Sequence, residues 1–583
     1  MSRLPVQVRS SAPVKDKIMV INELKQKIKD YAGGLAGIES NLNNLTIEEP
    51  KNKRFGDLST NAAMVLAPIL KKNPFEIASK IEKELISGWD QVKDVNIVKP
   101  GFINFNLKDE FIKENLKNII ENKEKFGFNQ SGEGVKVQLE YVSSNPTGSL
   151  HVGHGRWGAL GDSLANIYAA NGYEVFKEYY VNDYGTQADK FSDCAKCIYL
   201  RHFGRITGYP EDGYPEESVS LAVERLISEH SDRFIVEKNG IKEVEAGPFK
   251  KEIIRMMVSY ICETLALMGV QYDQWFYESC LYENSQLEKL ITDLRNKDIV
   301  YEEDGALWFR VSQYVEDKDR VVIRKDGNPT YFASDILYLM DKIKRGYDRL
   351  IYVLGADHHG YVDRLKSIAK AMGLAEDRLE IIIGQLVKIV ESGKILKMSR
   401  RKGKIYTLRD LIEEVGKDAV RYFFSMNSFD TPMDFDVSLA KQKSNQNPVY
   451  YVQYAHARIE SILEKIKESG PSNIETGSSC GLDEIDTSKI EFKSKSERQL
   501  AKILILYPDM IYSSCRNNAP HLITAYLYRL ATGFHYFYNN FRVVNDDGDR
   551  VIIDEDRLVL ILMVRQVLRN ALALLGVSAP QKM

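Results

Sequence analysis

The spacing of apolar and polar residues changes along the chain, and those changes divide it. Between 135 and 142 the two classes alternate, with Val135, Val137, Leu139 and Tyr141 apolar, which is the period of a strand. Asn145-Pro146-Thr147-Gly148 follows as a turn, because Pro146 disfavours helix just before it and Gly148 permits positive φ. Trp157, Leu160, Leu164, Ile167 and Tyr168 then recur at helical spacing. Further strands are predicted at 174–181, 350–355 and 381–389, with helical stretches between them. Such alternation predicts a parallel sheet whose ligand site lies at the carboxyl ends of its strands. This α/β unit spans about 130–425, with a mostly helical insertion over about 190–300. Residues 1–15 read as disordered. Residues 16–110 read as a small α/β unit, with helices at 14–32, 62–70 and 74–85 and strands at 95–98 and 102–107. From 440 to 583 the pattern is all-helical. Val452, Ala455, Ile459, Ile462 and Ile466 mark one amphipathic helix, stopped by Gly470-Pro471. Residues 470–495 read as a loop, and helices resume near Ser496 and continue to Gly576.

Composition adjusts this picture only slightly. A chain of 583 residues is too long for one core, so three or four units are expected. A net charge of −3 argues against a polycation that coats nucleic acid, but leaves room for local basic patches. Six cysteines suggest no disulfide framework and a reducing compartment. Cys194 and Cys197 have metal-like spacing, yet no second pair accompanies them, so no protein metal site is expected. Leu558 to Val564 is too short to span a bilayer, and Met1-Ser2-Arg3-Leu4-Pro5 lacks an apolar signal core. A cytoplasmic protein without membrane contact is expected.

Two segments carry candidate chemistry. His151 and His154 lie three apart in the first turn of a predicted helix, and Gly153 between them lets a ligand approach the backbone. A helix start offers N–H groups and positive dipole to an anion, so strand, turn and helix together suit a triphosphate. Taken alone, the pattern is equally two surface histidines beside a helix cap. About 250 residues on, Lys397-Met398-Ser399-Arg400-Arg401-Lys402-Gly403 is a dense basic loop, which needs either solvent or a facing anion. Taken alone, it reads as a solvated charge run. In this order, across a long α/β stretch, the two segments resemble the His-Ile-Gly-His and Lys-Met-Ser-Lys-Ser signatures of class I aminoacyl-tRNA synthetases.

Further segments resemble the arginyl-tRNA synthetase family. Phe55-Gly56-Asp57-Leu58-Ser59-Thr60-Asn61 and Gly101-Phe102-Ile103-Asn104-Phe105 are similar to its N-terminal domain. Glu140 to Arg156 is similar to its form of the first signature, and Tyr180 to Gln187 to its Asn-Asp-aromatic-Gly-x-Gln segment. Gly355 to Tyr361 falls where class I enzymes hold ribose and adenine. Asp418-Ala419-Val420-Arg421 matches the Asp-Ala-Leu-Arg signature, Asn447 to Arg458 the start of the anticodon-binding helices, and Leu575 to Pro580 the typical ending.

The resemblance implies a Rossmann-like parallel-sheet catalytic domain at 130–425. A small N-terminal α/β domain that binds tRNA precedes it (16–110), and an all-α anticodon-binding domain follows (440–583). It implies ATP, with Mg2+ on the triphosphate, as substrate, L-arginine and tRNA(Arg) as partners, and a monomer. Its ATP contacts would be His151, Val152, Gly153, His154, Gly355, Asp357, His358, Lys397, Met398, Ser399, Arg400 and Lys402, with His151, Gly153, His154, Lys397 and Arg400 catalytic. Arginine would meet Glu278, Asp335 and Tyr331, with Ser143, Asn145 and Glu140 at its backbone end or as scaffolding. An unpaired buried carboxylate penalises neutral amino acids, so no editing domain is required. The aromatic run from His535 to Arg542, with Tyr536, Tyr538 and Arg542, and outside it Tyr454, Arg458 and Arg529, would contact RNA bases, or equally form an aromatic core stripe. One departure stands out: the usual second lysine of the basic loop is Arg400. Some relatives without that lysine carry one just upstream of the first signature, where this chain has Gly148. Other readings fit less well. Cytidylyltransferases and pantothenate synthetases are usually short, intact His151, Gly153, His154 and Lys397 argue against a silent RNA-binding relative, and Tyr331 with Asp335 disfavours cysteine or glutamate as substrate.

Overall fold

In the computed structural model the described residues are 19–36, 42, 44–50, 52–315, 317–356, 359–396, 406–468, 474–475, 487–546 and 551–583. The N-terminal unit is an antiparallel sheet of β1 (Ile47–Glu48), β2 (Leu58–Thr60), β3 (Val92–Val98) and β4 (Phe102–Leu107), in spatial order β1-β2-β4-β3. Helices α1 (Val20–Ala36), α2 (Ala62–Leu70) and α3 (Pro74–Glu84) accompany it. Asn73 caps α3 by accepting from the Phe75 amide, with Pro74 at the first helical position, as helix-start chemistry favours. Helix α4 (Asp109–Asn122) leads into the central domain.

Five parallel strands form the central sheet: β5 (Lys136–Tyr141), β6 (Glu174–Val181), β9 (Gln274–Tyr277), β13 (Arg349–Gly355) and β14 (Leu379–Gly384). Their spatial order is β14-β13-β5-β6-β9. Strand order reverses between β5 and β13, so the ligand crevice of such a sheet opens where those two strands end. Helix α5 (Val152–Ala170) packs close to the sheet, because a Cβ at Gly161 would overlap the Tyr141 ring. Between β6 and β9 come α6 (Thr186–His202), α7 (Glu216–His230), the hairpin β7 (Ile235–Lys238) and β8 (Ile241–Val244), and α8 (Ala246–Leu267). The helical insertion expected over 190–300 therefore needs correction: β9 belongs to the sheet. Four residues are too few to show alternation.

After β9, helix α9 (Gln286–Asn296) precedes an antiparallel sheet of β10 (Val300–Glu303), β11 (Ala306–Phe309) and β12 (Arg320–Ile323). Helices α10 (Tyr331–Lys344) and α11 (His359–Ala371) flank β13. The single strand expected at 381–389 is two: β14 ends at Gly384, and β15 (Val387–Glu391) joins β16 (Lys394–Leu396) and β17 (Met433–Asp436) in another sheet. Between β16 and β17 lie α12 (Leu408–Val415) and α13 (Lys417–Ser425).

The C-terminal unit is built from α15 (Pro448–Glu468), α16 (Lys495–Ile505), α17 (Tyr507–Arg516), α18 (His521–Asn540) and α19 (Glu555–Leu574), after the short α14 (Val437–Ala440). It also holds three strands that the all-helical expectation missed: β18 (Ile474–Glu475), β19 (Val544–Asp546) and β20 (Val551–Ile553). Runs of two and three residues carry no readable period. One hydrophobic cluster runs from Leu24 in α1 through Leu139 in β5 to Leu568 in α19, joining the three units. A second lies under α9, α10 and α11. No described helix is long and apolar enough to cross a membrane.

Candidate active site

Strand β5 delivers the chain to the crevice, and the backbone then bends sharply. Val142 and Ser143 have φ of 70° and 39°, and the Ser143 amide donates to the Tyr141 carbonyl at 3.1 Å. The loop through Asn145 and Pro146 returns the chain to His151, which caps α5. The two histidines do more than share a face. The His151 amide donates to His154 Nδ1 (3.2 Å), and the His154 amide donates to His151 Nδ1 (3.3 Å). Their rings stack at 3.5 Å, and the Trp157 ring meets both edge-on. The expected open amides at this helix start are thus partly taken by imidazole nitrogens. Because both Nδ1 atoms accept, both neutral rings carry their proton on Nε2. Burial and the neighbouring His151 hold His154 well below the ordinary imidazole range, so it stays uncharged. The pair is a preset set of N–H donors able to meet an anion.

The second part of the site is a carboxylate pocket. Glu278 follows directly on β9 and is buried, accepting from Ser334 Oγ at 2.7 Å. Tyr282 extends this chain through Ser334 (2.6 Å). Oriented to satisfy both of its neighbours, the Asn182 amide donates to Glu278 Oε2 (3.1 Å) and the Tyr184 carbonyl (3.0 Å). Asp335, in the second turn of α10, accepts from Tyr361 of α11 at 2.6 Å. Among the described residues neither carboxylate has a cation within ion-pair distance. Burial raises Glu278 above the usual carboxylate range, and burial, with Glu278 nearby, raises Asp335 to about 7. Tyr331 is 48% exposed and bonds Thr186 at 3.0 Å. Two acids raised by desolvation and lacking an ion-pair partner among the described residues have the chemistry to accept a cation.

The other expected site residues fall into groups. Glu140 is buried and engaged on both oxygens, by Ser143 (3.0 Å) on one and by Lys342 (2.5 Å) and Tyr338 (2.9 Å) on the other. Asn145 is exposed and donates to Gln187 at 2.7 Å. Val152 and Gly153 lie in the first turn of α5, and Gly355 ends β13 beside the switch point. Asp357, His358, Lys397, Met398, Ser399, Arg400 and Lys402 lie outside the described residues. Asn182, Tyr180, Ser334 and Tyr361 join the site without any role expected from the sequence, although Tyr180 and Asn182 lie in the Tyr180–Gln187 segment and Tyr361 ends the Gly355–Tyr361 segment. Cys194 is buried in α6, and Cys197 Sγ lies 3.2 Å from the Gly208 carbonyl. Glu229, His230 and Glu252 have ligand-like spacing, but Arg255 spans both carboxylates at 2.9 and 2.6 Å.

The expected RNA contacts divide as well. Tyr536 is 61% exposed on α18. Tyr454 stacks near Tyr450 and His535, and the Arg458 guanidinium lies 4.9 Å from the Tyr538 ring centre. Arg542 gives its carbonyl to Arg557, and Arg529 pairs with Glu49 of the N-terminal unit at 2.6 Å. Arg421 is a bolt between units. It is fully buried and donates to the Leu575 carbonyl (2.6 Å), the Met268 carbonyl (3.0 Å) and Asp162 of α5 (2.8 Å).

Three family models match the chain in order. The family model described as "tRNA synthetases class I (R), catalytic domain" matches residues 115–434. "Arginyl tRNA synthetase N terminal domain" matches 21–107, and "DALR anticodon binding domain" matches 452–583. The arginine–tRNA ligase of Listeria welshimeri is 42% identical over 97% of this chain and 99% of its own, and that of Bacillus subtilis is 42% identical over 96% and 98%. The solved Thermus thermophilus arginyl-tRNA synthetase has the same fold, with a TM-score of 0.73 at 21% identity, covering 97% of this chain and all of that one. With three family domains matched in order and relatives aligned along almost its whole length, the chain belongs to the arginyl-tRNA synthetase family of class I aminoacyl-tRNA synthetases.

Proposed function

We propose that the protein activates L-arginine with ATP and transfers it to the terminal ribose of tRNA(Arg), the carboxylate pocket taking the guanidinium. The observation that carries the assignment of the pocket is the pair of carboxylates, buried Glu278 and half-buried Asp335, both raised above the usual range with no ion-pair partner among the described residues, near the sheet's carboxyl edge. A guanidinium presents planar paired donors to such acids and never loses its charge. Arginine's own carboxylate attacks the α-phosphorus of ATP, forming the mixed anhydride with AMP and expelling pyrophosphate. The ribose hydroxyl of tRNA then attacks the anhydride carbonyl, and AMP leaves. No protein nucleophile is needed, so the chain's work is placement and charge stabilisation.

In this reading, the Nε2–H groups of His151 and His154 donate to phosphate oxygens as charge accumulates there. Lys397, Arg400 and Lys402 face the departing pyrophosphate, Arg400 supplying the cation that the usual lysine would. ATP enters as its magnesium complex, the ion held mainly by the phosphates. Asn145 and Ser143 would hold the amino acid's backbone end. The exposed Tyr536 face of α18 serves the anticodon, and the protein acts as a monomer in the cytoplasm.

Arginine-dependent ATP–pyrophosphate exchange tests the assignment. Exchange is expected only when both arginine and tRNA(Arg) are present, and citrulline, the neutral isostere of arginine, is expected to support none. Citrulline working as well as arginine would remove the carboxylates from substrate recognition.

A further inference from the structure

Helix α10 carries a lysine that the chemistry above does not use. Lys342 is fully buried, its ammonium 2.5 Å from Glu140 Oε2 and lying over two tyrosine rings, 3.8 Å from the centre of Tyr352 and 4.3 Å from that of Tyr338. The Tyr338 hydroxyl lies within hydrogen-bond reach of both Glu140 (2.9 Å) and Glu178 (2.6 Å). Glu178 is held in turn by Arg345 at 2.5 and 3.0 Å and by Gln138 at 3.1 Å. The network ties β5 and β6 to the same helix that bears Asp335. Burying ion pairs yields little net stability, since packed apolar side chains of equal volume do as well, so a fully buried lysine here calls for another role.

What Glu140 touches supplies one. Its second oxygen accepts from Ser143 Oγ (3.0 Å), and Ser143 Oγ accepts from the Tyr180 amide of β6 (3.1 Å). Ser143 closes the three-residue turn in which Val142, a β-branched residue, sits at φ 70°. A β-branched residue at positive φ is strained and persists only where its surroundings over-determine it. The holders here are the Glu140 carboxylate, the Tyr180 amide, Tyr272 OH on the Tyr141 carbonyl (3.0 Å) and Tyr179 OH on the Ser144 carbonyl (2.8 Å). From this turn the chain runs directly to Asn145 and the histidine cap.

We propose that Lys342 is a positioning residue for arginine activation: it fixes the aim of Glu140, which locks the Val142–Ser143 turn and so places the loop that carries Asn145, His151 and His154. Desolvation lowers the Lys342 pKa, and the two facing carboxylates, Glu140 and Glu178, oppose that loss. The proposal rests on the activation chemistry above; arginine-dependent exchange by the parent enzyme tests that chemistry, and the ratio of variant to parent tests the lysine.

The experiment compares Lys342→Met, Glu140→Gln and the double variant in the full chain. Lys342→Met alone leaves Glu140 buried without its cation, so a lower melting temperature is expected along with lost activity. The double variant removes both charges together. Its melting temperature is expected to return close to the parent's, while kcat for tRNA-dependent exchange stays about 10- to 100-fold down, the scale of a small misplacement. Its KM for tRNA should stay within about twofold of the parent's, as an effect confined to placement requires. Hydrogen exchange should speed up in the peptide spanning 142–151 and not elsewhere. A double variant with parental kcat and parental protection over 142–151 would overturn the proposal and leave Lys342 a packing residue.

Discussion

Among single residues, Asp335 gives the sharpest consequence. Burial holds it at about 7 in the free protein, whereas a bound guanidinium requires it ionised. If Asp335 takes the guanidinium as proposed, arginine must displace a proton below pH 7, and its affinity should rise about tenfold per pH unit up to pH 7 and level off above. The stability sign follows the same shift. The folded protein binds a proton that the unfolded chain has already lost between about pH 4 and 7, so this contribution is present at low pH and lost as pH rises through 7. Added arginine should offset that loss. Calorimetry between pH 5.5 and 8, in buffers of different ionisation enthalpy, reads both affinity and proton release. Asp335→Asn should flatten the pH dependence and weaken arginine binding by about 2–4 kcal/mol. A flat profile in the parent would mean that the carboxylate is already ionised before arginine arrives.

At the scale of elements, legibility depended on length and on surface pattern. Strand β6, at eight residues, and helix α18, at twenty, carry enough period to read directly, whereas β9, β18, β19 and β20, at four residues or fewer, do not. The histidine signature was legible as a helix start, but its reciprocal imidazole caps depend on ring orientation, which spacing alone does not fix. Lys342 and Arg421 were opaque for a related reason: a charged residue in a helix reads as solvent-facing unless its distant partners are known. The aromatic run of α18 left two readings open, and exposure sorts them. Phe534 and Phe537 are fully buried, while Tyr536 points outward. Tyr536→Ala is expected to weaken tRNA binding by about 1–3 kcal/mol, the worth of one stacked base, while leaving arginine affinity and melting temperature unchanged. Filter binding alongside thermal melts checks this. A fall in melting temperature with unchanged tRNA affinity would return Tyr536 to the core.

At the scale of the whole molecule, the first and last units of the chain are pinned to each other by charge. Arg498 of α16 grips Asp57 with both terminal nitrogens (3.0 and 2.9 Å), Asp109 with its Nε (2.6 Å) and the Leu107 carbonyl (2.6 Å). Lys502 joins Asp57 (3.3 Å) to Glu49 (3.0 Å), and Glu49 meets Arg529. Asp509 of α17 accepts from the Ile21 and Asn22 amides at the start of α1. Burial alone would raise the Asp57 pKa; Arg498 and Lys502 outweigh it and hold the carboxylate below its usual range. Its contribution is therefore complete above about pH 4 and is lost as pH falls lower. These contacts, with Arg421, mean that removing 440–583 would strip α4 and α5 of their cover. A point change is cleaner. Arg498→Ala leaves Asp57 with Lys502 as its only cation, beside the Leu107 amide, and should cost docking about 2 kcal/mol, the low end of the range for truncating one partner of a hydrogen-bonded charge pair, since Arg498 is itself partly exposed. The family resemblance implies that both end units touch tRNA, so loosening their spacing should raise the KM for tRNA about tenfold, with the KM for arginine unmoved. Small-angle scattering should show a larger radius of gyration, and more so below pH 4. Arg498→Lys should recover little, since an ammonium cannot hold three acceptors in a planar fork. An Arg498→Ala protein with the parent's radius and the parent's KM for tRNA would show that the hydrophobic contacts of α1 and α4 set the spacing without the clamp.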